Sequence, residues 1–133
     1  KLEVQLMVDH PHISSSELAK LLTLPPDEHW DVGQRYRPTP DSSEQRYQFS
    51  RWALRETASS LDELATAIRA LTHRIYGIEP KFHSLPSDST VSLTLFVTET
   101  DTVIGMGIDQ KTIGLLARIK AGIEVSLVVE QQS

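Results

Sequence analysis

Asp9, His10 and His12 bring a carboxylate and two imidazoles close together in sequence, a set of donors that could ligate a metal ion. Alternate residues share a face only while a strand continues, and Pro11 breaks it there. None of the helical or knuckle spacings of known metal sites is present. The expectation is that no metal or cofactor is bound and that His10 and His12 lie in an exposed turn. Nucleophilic chemistry is equally poorly equipped, because the chain has no cysteine and no serine within a Gly-x-Ser-x-Gly elbow. Gly105-Met106-Gly107 before a helix resembles a phosphate loop only in part, since the third glycine and the Lys-Ser/Thr ending are missing. Asp27-Glu28 and Asp62-Glu63 are sequence neighbours and do not converge across a cleft as an acid–base pair must. The sequence therefore predicts a protein that is not an enzyme.

Binding chemistry is better represented. Arg35, Arg37, Arg46, Arg51 and Arg55 fall in one stretch that holds only Asp41 and Glu44 as acids, and Trp30 and Tyr36 lie beside it. Guanidinium offers a fork of donors to carboxylates, and aromatic rings supply contact area at small entropic cost. Trp, Tyr and Arg are also the residues enriched at binding hot spots. The residues expected to contact a partner are Trp30, Arg35, Tyr36, Arg37, Arg51 and Arg55. A second candidate is a small apolar patch of Met7, Phe96 and Val128 on otherwise polar strand faces. The favoured reading there is that a loop or helix covers them.

The whole chain limits what such a site can serve. Its 133 residues suit one domain able to bury a full core, and the net charge of −5 argues against a nucleic-acid binder that neutralises phosphates. The lack of cysteine agrees with a reducing cytoplasm. No apolar run approaches the roughly 20 residues that span a bilayer, and the Lys1-Leu2-Glu3-Val4 start does not resemble a signal sequence.

Hydrophobic periodicity then places the elements. Leu2, Val4, Leu6 and Val8 alternate with polar neighbours as a strand does, and Ser14-Ser15-Ser16-Glu17 forms a capping box for a short helix through Leu22. Residues 25–45 show no sustained period and read as one long loop. Arg46 to Glu56 reads as a strand with a bulge near Ser50-Arg51, where the aromatic phase changes.

The organising helix runs from Ser60 to Gly77. Leu61, Leu64, Ile68, Leu71 and Ile75 make its apolar stripe, Ser60 and Glu63 its capping box, and Gly77 with Pro80 its stop. Val91 to Val97 and Val103 to Ile108 are expected to form a hairpin. Asp109 caps a third helix, Gly122 closes it, and Ile123 to Val129 make the last strand. The prediction is a single α+β domain over residues 1–133. It has about five strands, mostly antiparallel, and three helices in the order β-α-β-α-β-β-α-β.

Several of these segments together resemble the uncharacterised, mainly bacterial family called domain of unknown function 4279. They are Ile13 to Leu24 followed by Pro25-Pro26, the Trp30-Asp31-Val32-Gly33 loop, the Phe49-Ser50-Arg51-Trp52 strand, and the helix and strand from Ile108 to Val129. The resemblance implies an α+β domain without an established activity, hence no catalytic residue to carry over, and structural roles for Trp30 and Gly33. The functional expectation is a cytoplasmic, non-catalytic protein-binding domain. Its most specific form is a bacterial immunity protein that neutralises a toxin domain, a basic one suiting the acidic charge. The alternative is a small-ligand domain whose loop over residues 25–45 closes on the sheet.

Overall fold

The computed structural model describes residues 2–35, 45–97 and 109–127. The strand expected at Val103 to Ile108, the Gly105-Met106-Gly107 segment, Tyr36, Arg37 and Val128 lie outside the described residues. In chain order the elements are β1 (Leu2–His10), α1 (Ser15–Leu22), β2 (Glu28–Trp30), β3 (Ser50–Ala58), α2 (Leu61–Ile75), α3 (Glu79–Phe82), β4 (Thr90–Val97), α4 (Gln110–Arg118) and β5 (Gly122–Leu127). The strands form one five-stranded sheet in the order β2-β3-β1-β4-β5. All neighbours are antiparallel except β4 and β5, and α4 lies between these two in the chain, within the long crossover that a parallel pair requires. The architecture is the expected α+β fold with a mostly antiparallel sheet and three main helices, α3 being a single added turn.

One face of the sheet carries Leu2, Val4, Leu6 and Val8 of β1, Trp52 and Leu54 of β3, and Val91, Leu93 and Leu95 of β4, all buried. The α2 stripe of Leu64, Ile68, Leu71 and Ile75 packs into the same core cluster, with Leu18 and Leu22 of α1 and Leu115 and Leu116 of α4. All the main helices therefore cover this face. The Trp52 indole N–H donates to the Leu24 carbonyl at 2.9 Å, which fixes the chain leaving α1 to the buried middle of β3.

The starts of α1 and α4 form as the sequence requires. The Ser14 hydroxyl accepts from the Glu17 N–H, and the Asp109 carboxylate accepts from the Thr112 N–H, which holds the Asp109 pKa below its usual value. The ends of the helices differ from expectation. Glu63 bonds the N–H of Ser59 rather than that of Ser60, and the Ser60 side chain makes no cap bond. Gly77 does not stop the helical path: α2 passes into a 3₁₀ turn (Tyr76–Ile78), and Pro80 sits in the first turn of α3, where its missing N–H costs nothing. Lys120, at φ 58°, is the left-handed residue that ends α4, while Gly122 begins β5.

Two further expectations are corrected around β3. Its pairing with β1 runs without interruption from Ser50 opposite His10 to Ala58 opposite Leu2, so the expected bulge is absent. The aromatic phase change reflects a strand with large residues on both faces. Within the expected loop over residues 25–45, Glu28–Trp30 forms β2, which pairs with β3 through Glu28 opposite Ala53 and Trp30 opposite Arg51.

Asp27 anchors the entry to β2. Its carboxylate takes two bonds from the Arg74 guanidinium of α2, at 2.7 and 3.2 Å, and a third from the backbone N–H of Arg55 in β3. The bond to Arg74 is the main cause that holds the Asp27 pKa below the usual carboxylate value.

Because Ile68 is 2 % exposed in the middle of the α2 stripe, Ile68→Ala should cost about 2–5 kcal/mol in denaturant titration. A smaller loss would mean that this stripe is not core. For Asp27 the folded-state pKa lies below the unfolded one, so its contribution is complete above the unfolded value and disappears as pH falls through the folded value. Asp27→Asn should therefore lower stability at pH 7 by up to about 1 kcal/mol, the range of part-exposed pairs. The gap to wild type should narrow below about pH 4. Unfolding curves at the two pH values check this, and a gap independent of pH would contradict the ion pair.

Candidate functional site at the β2–β3 edge

The second face of the sheet carries a different chemistry. From edge to edge it presents Glu28 and Trp30 of β2, Arg51, Ala53 and Arg55 of β3, Glu3, Gln5, Met7 and Asp9 of β1, Ser92, Thr94 and Phe96 of β4, and Glu124 of β5. The register decides which charges meet. Asp9 lies opposite Arg51, and the guanidinium closes on that carboxylate with two bonds of 2.7 and 2.9 Å. Glu3 and Glu28 flank Arg55 at 3.6 and 4.0 Å, and the Gln5 amide donates to both of these glutamates.

Arg51 also has an aromatic neighbourhood. Its guanidinium carbon lies 4.6 Å from the centre of the Trp30 ring and 5.1 Å from that of Phe49, within range of a cation–π attraction. On Trp30 stacks Tyr47, with ring centres 4.3 Å apart and planes inclined by 12°. Phe49 also lies 6.0 Å from Trp30 between ring centres, so Tyr47, Phe49 and Arg51 all meet that ring although the chain bends at Gln48 and Phe49 before β3 begins.

The approach to this cluster is held by backbone bonds. Gly33 adopts φ 83°, its N–H donates to the Tyr47 carbonyl, and its own carbonyl accepts from the Arg46 guanidinium at 2.8 Å. A methyl group at Gly33 would meet nothing within 4 Å, so the left-handed backbone is what calls for glycine here. This agrees with the structural role that the family resemblance implies for Gly33, while Trp30 is both packed and half-buried at the surface.

The six residues expected at a partner site divide as follows. Trp30, Arg51 and Arg55 share the second face, and Arg35 is exposed at its edge, where it bridges to Arg46 across the backbone. Arg51 is not a free donor, because Asp9 takes its fork. Arg55 is half-occupied by Glu3 and Glu28 and remains 47 % exposed. Tyr36 and Arg37 lie outside the described residues. Tyr47, Phe49 and Arg46 belong to the site although sequence reasoning did not select them. The signal was present in the odd-numbered phase that leads to Arg51.

The alternative patch is largely closed. Met7 is 3 % exposed with its sulfur 3.8 Å from the Thr94 hydroxyl, and Gln5, Ala53 and Thr94 beside it are buried. Phe96 is half-buried. Of the loop expected to close over the sheet, residues 28–30 instead extend the sheet sideways, in its own plane.

The other clusters of reactive groups serve as braces. His10 is buried rather than exposed, and its Nδ1 accepts from the N–H groups of His12 and Ile13, both at 3.0 Å. It turns the chain from β1 into α1. Ser15, His29 and Asp31 look like a catalytic trio, with the Ser15 hydroxyl 3.4 Å from His29 Nδ1. Asp31, however, accepts from the backbone N–H of Ser15 at 2.7 Å, and bonds from Ser15 lower its pKa, so the carboxylate does not stand behind the histidine. Among the described residues, no group of three His, Cys, Asp or Glu side chains could hold a metal ion, and no helix is long and apolar enough to cross a membrane.

No curated protein and no solved structure matches the chain. A family model matches residues 1–130, nearly the whole chain, and this protein accordingly belongs to the family described as Domain of unknown function (DUF4279).

Proposed function

We propose that the chain is a non-catalytic protein-binding domain that contacts its partner through the β2–β3 edge. The observation that carries this reading is the stacked column of Tyr47, Trp30 and Arg51, held in place by Asp9 and flanked by exposed cations. Aromatic groups already fixed in position lose little conformational freedom on association, so a larger share of the contact energy appears as affinity. Arg35 and Arg46 are exposed and have no carboxylate partner among the described residues, so apart from the one Arg46 bond to the Gly33 carbonyl their donors are available to acidic groups of a partner. Strand addition is the less suitable mode, because β2 offers an edge of only three residues. Side chains are therefore the natural means of recognition.

The specific partner we propose is a bacterial toxin domain, which would make the chain a cytoplasmic immunity protein. This step rests on class analogy and on charge: a net −5 would steer encounter with a basic toxin such as a nuclease, while Arg35 and Arg46 would engage local acids at the contact. The test is co-purification with the product of the adjacent gene, followed by affinity measurement with Arg35→Ala/Arg46→Ala. The expected result is a stoichiometric complex that the double variant weakens by about 2 kcal/mol or more, roughly thirtyfold in Kd, with its melting temperature retained. A complex whose affinity is unchanged in the folded variant would remove the edge from the contact. Absence of any complex would contradict the toxin reading.

A further inference from the structure

On the helix-bearing side of the molecule, far in sequence from the β2–β3 edge, a cleft of about 210 Å³ opens between the end of α3, the connection to β4 and the end of α4. Its apolar lining includes Phe82, Val91 and Ile119, all buried members of the core cluster. Its polar lining is His83, Ser87, Ser89 and Lys120. Among the described residues no carboxylate lines it, in a chain where acids outnumber lysines and arginines by 18 to 13.

Two local details set this cleft apart from an ordinary surface dent. The Ser89 hydroxyl is buried and has no hydrogen-bond partner among the described residues, although the Ser89 backbone N–H is satisfied by the Pro86 carbonyl. An unpaired buried hydroxyl is a standing cost that a bound acceptor could relieve. Lys120 is held at φ 58° as the terminating residue of α4, a backbone state uncommon for a residue with a side chain, and it lines the cleft from there. The site thus combines an ammonium, an imidazole and two hydroxyls with a smaller apolar wall.

We propose that this cleft binds a small organic carboxylate with a compact apolar body. The anionic head faces Lys120, His83 and the serine hydroxyls, and the body rests on Phe82, Val91 and Ile119. Volume limits the ligand's size. At about 210 Å³ the cleft lies below the range of about 300–1,000 Å³ typical of drug-sized ligands. A benzoate-sized or branched-chain acid fits, and a nucleotide does not. Inorganic phosphate would satisfy the polar groups but leave the apolar wall wet, so the carboxylate is the better match.

The proposal is independent of the partner-binding reading, since the cleft shares no residue with the β2–β3 edge. It is tested by titrating the isolated full chain with benzoate while following backbone amide shifts by NMR. Neutral benzamide and inorganic phosphate serve as comparison probes. The expected result is saturable shifts at Ser87, Ser89 and Lys120 with half-saturation in the low-millimolar range or tighter, and weaker binding of both comparison probes. Lys120→Gln should weaken benzoate by about fivefold or more, as loss of a charge-assisted contact at a part-exposed site. Ser89→Ala should also weaken benzoate without lowering the melting temperature of the free protein, because it removes an unpaired hydroxyl. Absence of saturable shifts at these amides, equal binding of benzamide, tighter binding of phosphate, or unchanged affinity in folded Lys120→Gln would each overturn it.

Discussion

The guanidinium of Arg51 joins three strands at once. It sits on β3, closes on Asp9 of β1 with a two-pronged bond, and lies against the Trp30 ring of β2. Without it, the carboxylate of Asp9, 21 % exposed on the central strand with Arg51 in place, would face no cation among the described residues, and Trp30 would lose one side of its stack. Both partners of the pair are only about one-fifth exposed. That places it between surface pairs worth about 0–1 kcal/mol and buried pairs whose desolvation can cancel their attraction. The two-pronged geometry and the aromatic neighbours favour a net gain. The polar face of the sheet is ordered by this internal neutralisation, just as the apolar face is ordered by the helices.

Under the proposed binding role, such an arrangement has consequences for recognition. A cation already matched by Asp9 adds little as a donor to a partner, but it stiffens the rings around it. The available charge lies one step outward, at Arg35, Arg46 and half-exposed Arg55. A rigid aromatic centre with adjustable cations at the rim is the usual distribution of a binding surface. The braces at Asp27, His10 and Gly33 serve the same end, since each fixes a backbone segment that leads to or from the edge.

What the sequence reveals about this molecule is what local period and local caps determine. The alternation of Leu2 to Val8, the α2 stripe through Ile68, and the Ser14 and Asp109 caps are all encoded within a few residues of where they act, and each forms as expected. β2 escapes such reading because Glu28-His29-Trp30 is too short to show a period and exists only through its pairing with β3. Gly77 and Gly122 suggest helix ends on type alone, whereas the real stop after α4 falls to Lys120. The aromatic and arginine content of the site was visible in composition. That Arg51 spends its fork on Asp9, 42 residues away, follows from strand register and could not be read from either residue's neighbours.

The central claim is that the Arg51–Asp9 pair is a structural tie rather than an unused binding group. A double-mutant cycle tests this most directly, with Arg51→Ala, Asp9→Ala and the double variant compared by denaturant unfolding. The account predicts a favourable coupling energy of about 1–3 kcal/mol, as for a charge-assisted contact at a part-buried site. A coupling below about 0.5 kcal/mol, the limit within which independent sites add, would contradict it.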